Sequence, residues 1–96
     1  MPVYISLVNF TTEGVKTIKD SPNRAARYQE IAKACGGKPI AAYATFGAYD
    51  LVAINEYPDN ASAMKAALQI NAIGAVTTQT LVGIPIEEFM HITQSV

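Results

Sequence analysis

The sequence predicts a ferredoxin-like α+β domain, in which a four-stranded antiparallel sheet carries two helices on one face. Its 96 residues fit a single domain spanning residues 1–96, and 50% of them are apolar, enough to form a core. Strand-like and helix-like segments follow one another in the order βαββαβ. Two right-handed β-α-β crossovers that interlock in this order give the predicted arrangement.

The first strand and the start of the first helix are predicted from neighbouring segments. Pro2–Phe10 is rich in β-branched and aromatic residues, which favour strands. Thr11 or Thr12 can cap the helix that follows, and Glu13 then lies in its first turn, where an acidic side chain is favourable.

Pro22 divides the helical region after this first turn. Because proline clashes inside a continuous helix, we expect a kink or a restart, with Ser21 as the N-cap and Pro22 as the first helical residue. Gly36 and Gly37 are expected to end the helix. The restarted helix carries an apolar stripe at helical spacing, formed by Ala25, Tyr28, Ile31, Ala32 and Cys35.

A hairpin joins the second and third predicted strands, Lys38–Phe46 and Asp50–Tyr57. The short connection makes the two strands antiparallel, and Gly47 is expected to supply a positive φ in the turn.

The last third of the chain predicts a helix, a strand and a short helical end. Asp59 or Asn60 is expected to cap the helix, and Gly74 to close it. Ala75–Gly83 is the fourth strand, and Ile86–Ile92 is expected to form a last helical turn. The residues expected to pack the helix against the sheet are Met64, Ala67, Leu68 and Ile70.

The composition excludes several classes of function. Seven basic and eight acidic residues give a net charge of −1 without a basic run, so nothing attracts a nucleic-acid backbone. No apolar stretch approaches the roughly 20 residues that span a bilayer, and the N-terminus carries no secretion signal. A single cysteine forms no internal disulfide. We therefore expect a soluble cytoplasmic protein that binds neither nucleic acid nor membrane.

Charged residues are sparse, at 16% against the usual ~25% of soluble domains. Between residues 60 and 86 the only charged residue is Lys65, although a helix and a strand there would normally present charge to water. We expect part of this surface to meet a second copy of the chain, giving a homodimer or a larger homo-oligomer.

Alternation along the strands divides the predicted sheet into two faces. The purely apolar set is expected to face the helices; it comprises Val3, Ile5, Leu7, Ile40, Ala42, Ala44, Phe46, Val52 and Ile54. The mixed set is expected on the open face, where it would suit a dimer interface or a pocket. Its aromatic, hydroxyl and amide side chains belong to Tyr4, Ser6, Phe10, Tyr43, Thr45, Asn55 and Tyr57. The fourth strand carries threonine in both alternations and has no assigned face.

The stretches YISLVNFTTEGVKTIKDSP and GAYD, together with the element order, resemble the GYD-domain family over roughly Pro2–Phe89. That resemblance implies a ferredoxin-like fold that pairs into a dimeric α/β barrel, and it implies no established activity. The hairpin FGAYDLVAI is also similar to the ligand-binding domains of the leucine-responsive regulator family, which bind small effectors between subunits. This chain lacks their helix-turn-helix, so DNA binding does not transfer.

Tyr49 and Asp50 in the hairpin are candidate site residues with two interpretations. In the structural one, the Asp50 carboxylate accepts backbone N–H bonds across the turn and Tyr49 packs over the sheet edge. In the functional one, the phenol and the carboxylate stand at the rim of a pocket, where they bind a polar group or move a proton. The structural interpretation is favoured, because aspartate is common in turns for this physical reason.

A ligand pocket is predicted beside Tyr43. This phenol lies mid-strand among small residues, which leaves space next to it, and on the open face Ser6 and Asn55 share that space. We expect the Tyr43 hydroxyl to point inward to a ligand or an ordered water. The predicted pocket residues are Ser6, Tyr43, Tyr49, Asp50 and Asn55, and no catalytic residue is identified.

No motif indicates a metal or a cofactor, and none is expected. His91 has no second ligand at metal spacing. Cys35 belongs to an apolar stripe, where a structural thiol is expected. Arg24 and Arg27 could bind an anion, but a solvated helix face is the commoner explanation. The glycines follow no phosphate-loop or dinucleotide pattern.

Two classes of function remain, and a third possibility is that the interface between copies serves assembly only. The first is a homo-oligomeric module that binds a small molecule or senses an effector, with its pocket between subunits. The second is a cofactor-free enzyme, monooxygenase- or isomerase-like, acting on a small apolar or aromatic compound, by analogy of fold. Such an enzyme should show a closed pocket in each protomer, with a base in hydrogen-bond reach. Binding is favoured, because no strong base or nucleophile stands out.

Overall fold

The computed structural model describes all 96 residues and has the predicted ferredoxin-like α+β arrangement. The antiparallel sheet has the strand order β2-β3-β1-β4, so β1 and β3 occupy its centre. The strands are β1 (Val3–Phe10), β2 (Lys38–Ala44), β3 (Leu51–Glu56) and β4 (Val76–Gly83). The helices are α1 (Thr12–Lys16), α2 (Ser21–Ala34), α3 (Asn60–Ala72) and α4 (Ile86–Thr93). No helix is long and apolar enough to cross a membrane.

Helices α1 and α3 begin after the caps that the sequence indicated, whereas α2 begins at Ser21, with Asp20 and not the predicted Ser21 in the N-cap position. The Thr11 side chain caps α1 by accepting a hydrogen bond from a backbone N–H of the first turn at 3.1 Å. A 3-10 turn at Ile18–Asp20 precedes α2, which restarts with Pro22 in its first turn. Asp59 caps α3 by accepting from the N–H of Ser62 at 2.8 Å, and this bond lowers the pKa of the Asp59 carboxyl.

The core between the sheet and the helices is built from the mixed set of β1 and β3, so the predicted assignment of the faces is wrong for these two strands. In β2 it is correct, since Ala42 lies opposite Ala53 on the helix side and Tyr43 lies opposite Val52 on the other face. Tyr4 and Tyr57 are 3% and 4% exposed, and their rings meet edge to face with centroids 5.6 Å apart. The Tyr4 hydroxyl donates to the side chain of Asn60 at the start of α3. Because this hydroxyl is paired, the tyrosine occupies the core despite its polarity.

The purely apolar alternation of β1 and β3 lies on the opposite face, away from α2 and α3. Ile5 stands opposite Ile54 on one side and Leu81 on the other, and directly opposed residues share a face. None of these side chains is fully buried. We call this surface the open face; its apolar residues are Val3, Ile5, Leu7, Val52, Ile54 and Leu81.

Helix α3 packs on the sheet through alanines rather than through its large side chains. Ala63 and Ala66 are 7% and 1% exposed, whereas Met64 and Leu68 are 62% and 65% exposed. The prediction that Met64 and Leu68 pack against the sheet is therefore wrong. Small side chains allow the helix backbone to approach the strands closely, and the large residues beside them face solvent.

The two edges of the sheet are both interrupted. At β4, the Asn71 side chain accepts from the Thr78 N–H at 3.2 Å and donates to the Thr78 hydroxyl at 2.8 Å. At β2, Pro39 has no N–H to offer, and the pairing with β3 shifts by one residue between Pro39 and Ala41. Neither edge therefore presents an unbroken row of free backbone groups.

Helix α4 matches the predicted segment to within one residue at its C-terminal end and presents its apolar side chains to solvent. None of its residues is buried. Its exposed apolar residues, between 43% and 59% accessible, are Ile86, Phe89, Met90 and Ile92.

Candidate functional site

A groove runs between the sheet and helices α2 and α3, with a cavity volume of about 440 Å³. Ligand pockets in proteins usually measure about 300–1,000 Å³, so this volume suits a small molecule. The space arises because alanines meet across it, Ala42 and Ala53 from the sheet and Ala32 and Ala67 from the helices. Seventeen of the 23 lining residues are hydrophobic, so most of the wall is apolar. We call this feature the sheet–helix groove.

Four uncharged polar side chains form the floor of the groove. Ser6 of β1 lies opposite Thr80 of β4, with the two hydroxyl oxygens 3.3 Å apart. Thr78 lies two residues before Thr80 on the same face, and its hydroxyl accepts a hydrogen bond from Asn71. Asn55 of β3 completes the group. The polar floor, defined as Ser6, Asn55, Thr78 and Thr80, offers hydrogen bonds without charge.

Two of the predicted pocket residues, Ser6 and Asn55, lie together in this groove. Ser6 stands opposite Ala53, two positions from Asn55 on the same face, so Ser6 and Asn55 are diagonal neighbours. Their cavity is on the helix side of the sheet, whereas the sequence interpretation put it on the open face. A ligand-binding role for the two residues stays a prediction.

Tyr43 does not share that cavity in the predicted way. It lies opposite Val52 and is 62% exposed, so it belongs to the open face and reaches the groove only at its rim. The expectation that the Tyr43 hydroxyl points inward is therefore wrong. The physical reason is the register shift between Pro39 and Ala41 in β2, which moves Tyr43 from the alternation of Asn55 to that of Val52.

Tyr49 and Asp50 make contacts outside the groove. The Asp50 carboxylate accepts from the Phe10 N–H at 2.9 Å, and the Tyr49 hydroxyl donates to the Gln79 side-chain oxygen at 2.8 Å. Gly47 has a φ of 100°, the positive value predicted for the turn. Neither Tyr49 nor Asp50 lines the sheet–helix groove, but their partners lie in β1 and β4, whereas the structural interpretation had Asp50 accept N–H bonds across its own turn.

Tyr28 lines the groove and was missed as a site residue, because its helical spacing indicated only a core position. Its hydroxyl oxygen is buried and has no hydrogen-bond partner within the protein. Burial raises the pKa of the Tyr28 phenol above its ordinary value of 10.0, and the nearby Arg24 guanidinium partly opposes that shift. The same burial closes the hydroxyl oxygen off from the groove, so Tyr28 contributes its ring to the groove wall and not its hydroxyl.

The floor threonines were also missed, for a different reason. Thr78 and Thr80 share one alternation of β4, but Thr77 occupies the other, so the sequence pattern did not distinguish the two faces. The pairing of β4 with β1, which places Thr80 opposite Ser6, decides the question. That pairing joins residues far apart in the chain.

Arg24 and Arg27 differ in role although they share a helix turn. Arg24 is 9% exposed, and its guanidinium donates to the Gly14 carbonyl at 3.2 Å and to the Thr17 carbonyl and hydroxyl at 3.0 and 2.9 Å. Arg24 thereby pairs with carbonyl groups at the C-terminal end of α1 that have no partner within the helix, and it does not reach the groove. Arg27 is exposed and lies 3.6 Å from Glu30. The predicted solvated helix face is correct for Arg27 and wrong for Arg24.

The groove lining contains no acidic, lysine, arginine, histidine or cysteine side chain. His91 is exposed on α4, and Cys35 is half-buried against the core. Histidine, cysteine, aspartate and glutamate side chains nowhere form a group of three that could hold a metal ion. The side chains of the groove therefore offer apolar contact and hydrogen bonding by neutral groups.

The fold and the groove define a small ferredoxin-like α+β protein with an uncharged cavity between its two layers. The sequence profile described as the GYD domain matches residues 4–93, and the chain belongs to the GYD domain family. A relative from Thermus thermophilus is named glutamine synthetase and cystathionine beta-lyase binding protein. It is 34% identical over 91 residues, which cover 94% of this chain and 96% of that protein.

A solved structure also resembles this chain. A crystal structure of a protein from Thermus thermophilus superimposes with a TM-score of 0.55 at 21% sequence identity. The match covers 88% of this chain and 95% of that chain. At this level of identity the likeness supports the fold alone.

Proposed function

We propose that this protein is a homo-oligomeric binding module that holds a small, mainly apolar molecule in the sheet–helix groove. The observation that carries the proposal is the groove itself: a cavity of about 440 Å³ with apolar walls and a floor of neutral polar groups. Pockets that combine apolar walls with a few placed polar groups are typical of small-molecule sites.

A cofactor-free enzyme is the alternative, and the groove supports part of one of its two criteria. The cavity lies within one protomer, as expected for an enzyme, but it is an open groove and not the closed pocket expected. A binding module was expected to place its pocket between subunits. The second criterion, a base in hydrogen-bond reach, finds no support, since tyrosines are the only titratable residues in the lining. We weigh the second criterion more heavily, because proton transfer at neutral pH needs a group with a suitable pKa.

The homo-oligomer is supported by two apolar surfaces. The open face presents aliphatic side chains on a sheet surface that neither α2 nor α3 covers. Helix α4 exposes four more apolar side chains and buries none. A standard interface covers about 800 Å² per partner, roughly an eighth of the 6456 Å² surface of this chain. A second copy paired face to face would cover this apolar area.

The relative from Thermus thermophilus supports the proposal of a protein partner. That protein is named for binding glutamine synthetase and cystathionine beta-lyase. We propose that this chain likewise binds a metabolic enzyme, so that a ligand in the groove could act as an effector of the complex. Pull-down of the host's own glutamine synthetase and cystathionine beta-lyase by the tagged full chain tests this part, and capture of neither enzyme would contradict it.

Native mass spectrometry of the protein purified from its own host tests the central proposal. We expect a dimer or larger assembly that retains a small-molecule mass. Ala42→Phe, which fills the groove from β2, should abolish that retained mass. Ala26→Phe, an equal change at an exposed helix position outside the groove lining, is the matched control. A monomer without retained ligand, or retention unaffected by Ala42→Phe, would contradict the proposal.

A further inference from the structure

The polar groups that line the sheet–helix groove carry no net charge. They are hydroxyls and carboxamides, and the lining includes no carboxylate, lysine, arginine or histidine side chain. A charged ligand seated here would lose part of its hydration without gaining a counter-ion, which is unfavourable. The groove therefore favours neutral ligands.

The members of the polar floor differ in how far the protein itself satisfies them. The hydroxyl oxygens of Ser6 and Thr80 lie 3.3 Å apart, within hydrogen-bond distance of each other. The Thr78 hydroxyl accepts a hydrogen bond from Asn71 at 2.8 Å. Asn55 takes part in neither of these bonds, so its carboxamide is the polar group of the floor that is left for a ligand.

The neighbours of Asn55 in the sheet do not engage its side chain. On one side it stands opposite Pro39 of β2, which has no polar side-chain group. On the other side it stands opposite Tyr4 of β1, whose hydroxyl donates to Asn60 instead. The Asn55 amide does lie near the Tyr57 phenol, because it partly opposes the rise in the pKa of that group.

A carboxamide has more hydrogen-bonding groups than this one neighbour can use. It carries two N–H donors and a carbonyl oxygen that accepts. The phenol of Tyr57 takes at most one N–H, so the second N–H and the carbonyl remain. Asn55 is half-buried and lines the groove, so both groups are within reach of a ligand held there.

We infer that the groove binds a neutral ligand that carries an N–H and a C=O side by side, as in a lactam, and that Asn55 pairs with both groups. The Asn55 carbonyl accepts from the ligand N–H, and the Asn55 N–H donates to the ligand carbonyl. The apolar walls hold the rest of the molecule. This inference rests on the proposed function and adds the chemical class of the ligand and the residue that selects it.

Three bicyclic probes of similar size test the inference by calorimetry on the full chain. They are quinolin-2-one, which is a lactam, coumarin, which has the same shape with an oxygen in place of the N–H, and 2-naphthoate, which is an anion. We expect quinolin-2-one to bind wild type about three- to tenfold more tightly than coumarin, the contribution of one hydrogen bond. The anion should bind least.

Asn55→Leu, which removes the carboxamide at similar volume, should make quinolin-2-one and coumarin bind equally. Asn55→Ala should do the same, and it keeps the test valid if leucine disturbs the packing. Gln29→Leu is the matched control, because it removes an exposed carboxamide of the groove lining on α2. That variant should keep the preference for the lactam.

The inference is overturned if wild type does not prefer the lactam, if the folded Asn55 variants keep that preference, if Gln29→Leu removes it, or if the anion binds best. The proposed function survives each of these results, because a ligand still binds. Binding of none of the three probes would overturn the ligand class alone, since the mass retained in native mass spectrometry decides the proposed function separately.

Discussion

The Asp50 carboxylate accepts a hydrogen bond from the backbone N–H of Phe10 at 2.9 Å, which ties the β2–β3 hairpin to the end of β1. The Asp50 N–H donates to the Val8 carbonyl at 2.8 Å, so main chain and side chain of one residue extend the ladder between the two central strands. The Asp50 carboxylate, which follows Tyr49 in the turn, thus takes part in the hydrogen bonding of the sheet.

Replacing Asp50 with alanine should destabilise the fold more than replacing it with asparagine. Alanine leaves the Phe10 N–H without an acceptor, which we expect to cost near the lower end of about 1.5–3 kcal/mol, since the site is half-exposed. Asparagine keeps an acceptor oxygen and loses only the charge. Urea denaturation of the two variants compares their free energies of unfolding, and equal losses would show that the bond to Phe10 contributes nothing.

Gly47→Val should destabilise the protein more than Asp50→Asn does. A Cβ at Gly47 would meet no atom within 4 Å, so the effect isolates the backbone strain of a β-branched residue at a φ of 100°. Such strain costs on the order of 1–3 kcal/mol. For a domain of this size each kcal/mol lowers Tm by about 4–8 °C. A smaller shift for Gly47→Val than for Asp50→Asn would contradict this account of the turn.

Gly14→Ala should be more damaging than Gly74→Ala. A Cβ at Gly14 would lie 2.0 Å from the Ala75 carbonyl oxygen, a backbone clash that requires α1 to move away from the start of β4. A Cβ at Gly74 meets nothing within 4 Å, so only its positive φ of 89° opposes the change. Differential scanning calorimetry should show the larger fall in Tm for Gly14→Ala, and the reverse order would be inconsistent with the close approach.

Arg24→Met should cost about 2–3 kcal/mol of stability, because it removes charge-assisted bonds to the Gly14 and Thr17 carbonyls. The matched control is Arg27→Met, at an exposed position 3.6 Å from Glu30. Surface ion pairs contribute about 0–1 kcal/mol, so that variant should stay close to wild type. Chemical denaturation of both variants measures the difference, and similar losses would refute a special role for Arg24.

Stability should fall as the pH rises above about 10, partly because of Tyr57. Burial, reinforced by the nearby Cys35 thiol, raises the pKa of the Tyr57 phenol above its ordinary value of 10.0. Below pH 10.0 the phenol is neutral in both the folded and the unfolded chain, and its contribution to the free energy of unfolding is fully present. Above that value the unfolded chain releases the proton more readily than the folded protein, so stability is lost as the pH rises through the folded pKa.

This alkaline loss of stability is tested by measuring the free energy of unfolding at several pH values on either side of 10.0. Tyr57→Phe should make the alkaline decline shallower, and adding Tyr28→Phe should flatten it further, because burial also raises the pKa of Tyr28. A decline as steep in the double variant as in wild type would exclude the two phenols as its cause.

Leu81→Glu should shift the assembly towards monomer. Leu81 is 42% exposed on the open face, where a carboxylate would be buried against a second copy of the chain. Val15→Glu, at a 58% exposed position on α1, is the control and should leave the assembly unchanged. Sedimentation velocity reports the result. Wild type that sediments only as a monomer at micromolar concentration would contradict the homo-oligomer.

The features that were predictable from sequence depend on neighbours in the chain. Thr11 and Asp59 each cap a helix by accepting from a backbone N–H three residues later. Pro22 lies in the first turn of the helix that restarts there, and the turn at Gly47 requires only a positive φ of that residue. The βαββαβ order follows from such local signals, and with it the fold.

The features that were not predictable depend on distant partners. Tyr4 can enter the core because Asn60, 56 positions later, accepts from its hydroxyl. Tyr43 lies on the open face as predicted, but a one-residue shift in the pairing of β2 with β3 separates it from Ser6 and Asn55, and no pattern within β2 reveals that shift. Ser6 and Asn55 were grouped correctly, while their side of the sheet was not.

The interrupted sheet edges limit how copies of this chain can associate. An intact edge strand can recruit further strands and extend a sheet without end, the route to fibrils. At the β4 edge the Asn71 side chain accepts the hydrogen bond of the Thr78 N–H. At the β2 edge Pro39 and the adjacent bulge interrupt the row of backbone groups. Association through the open face is compatible with both, since it needs no backbone pairing. The chain thus exposes apolar side chains on the open face while its sheet edges resist runaway polymerisation.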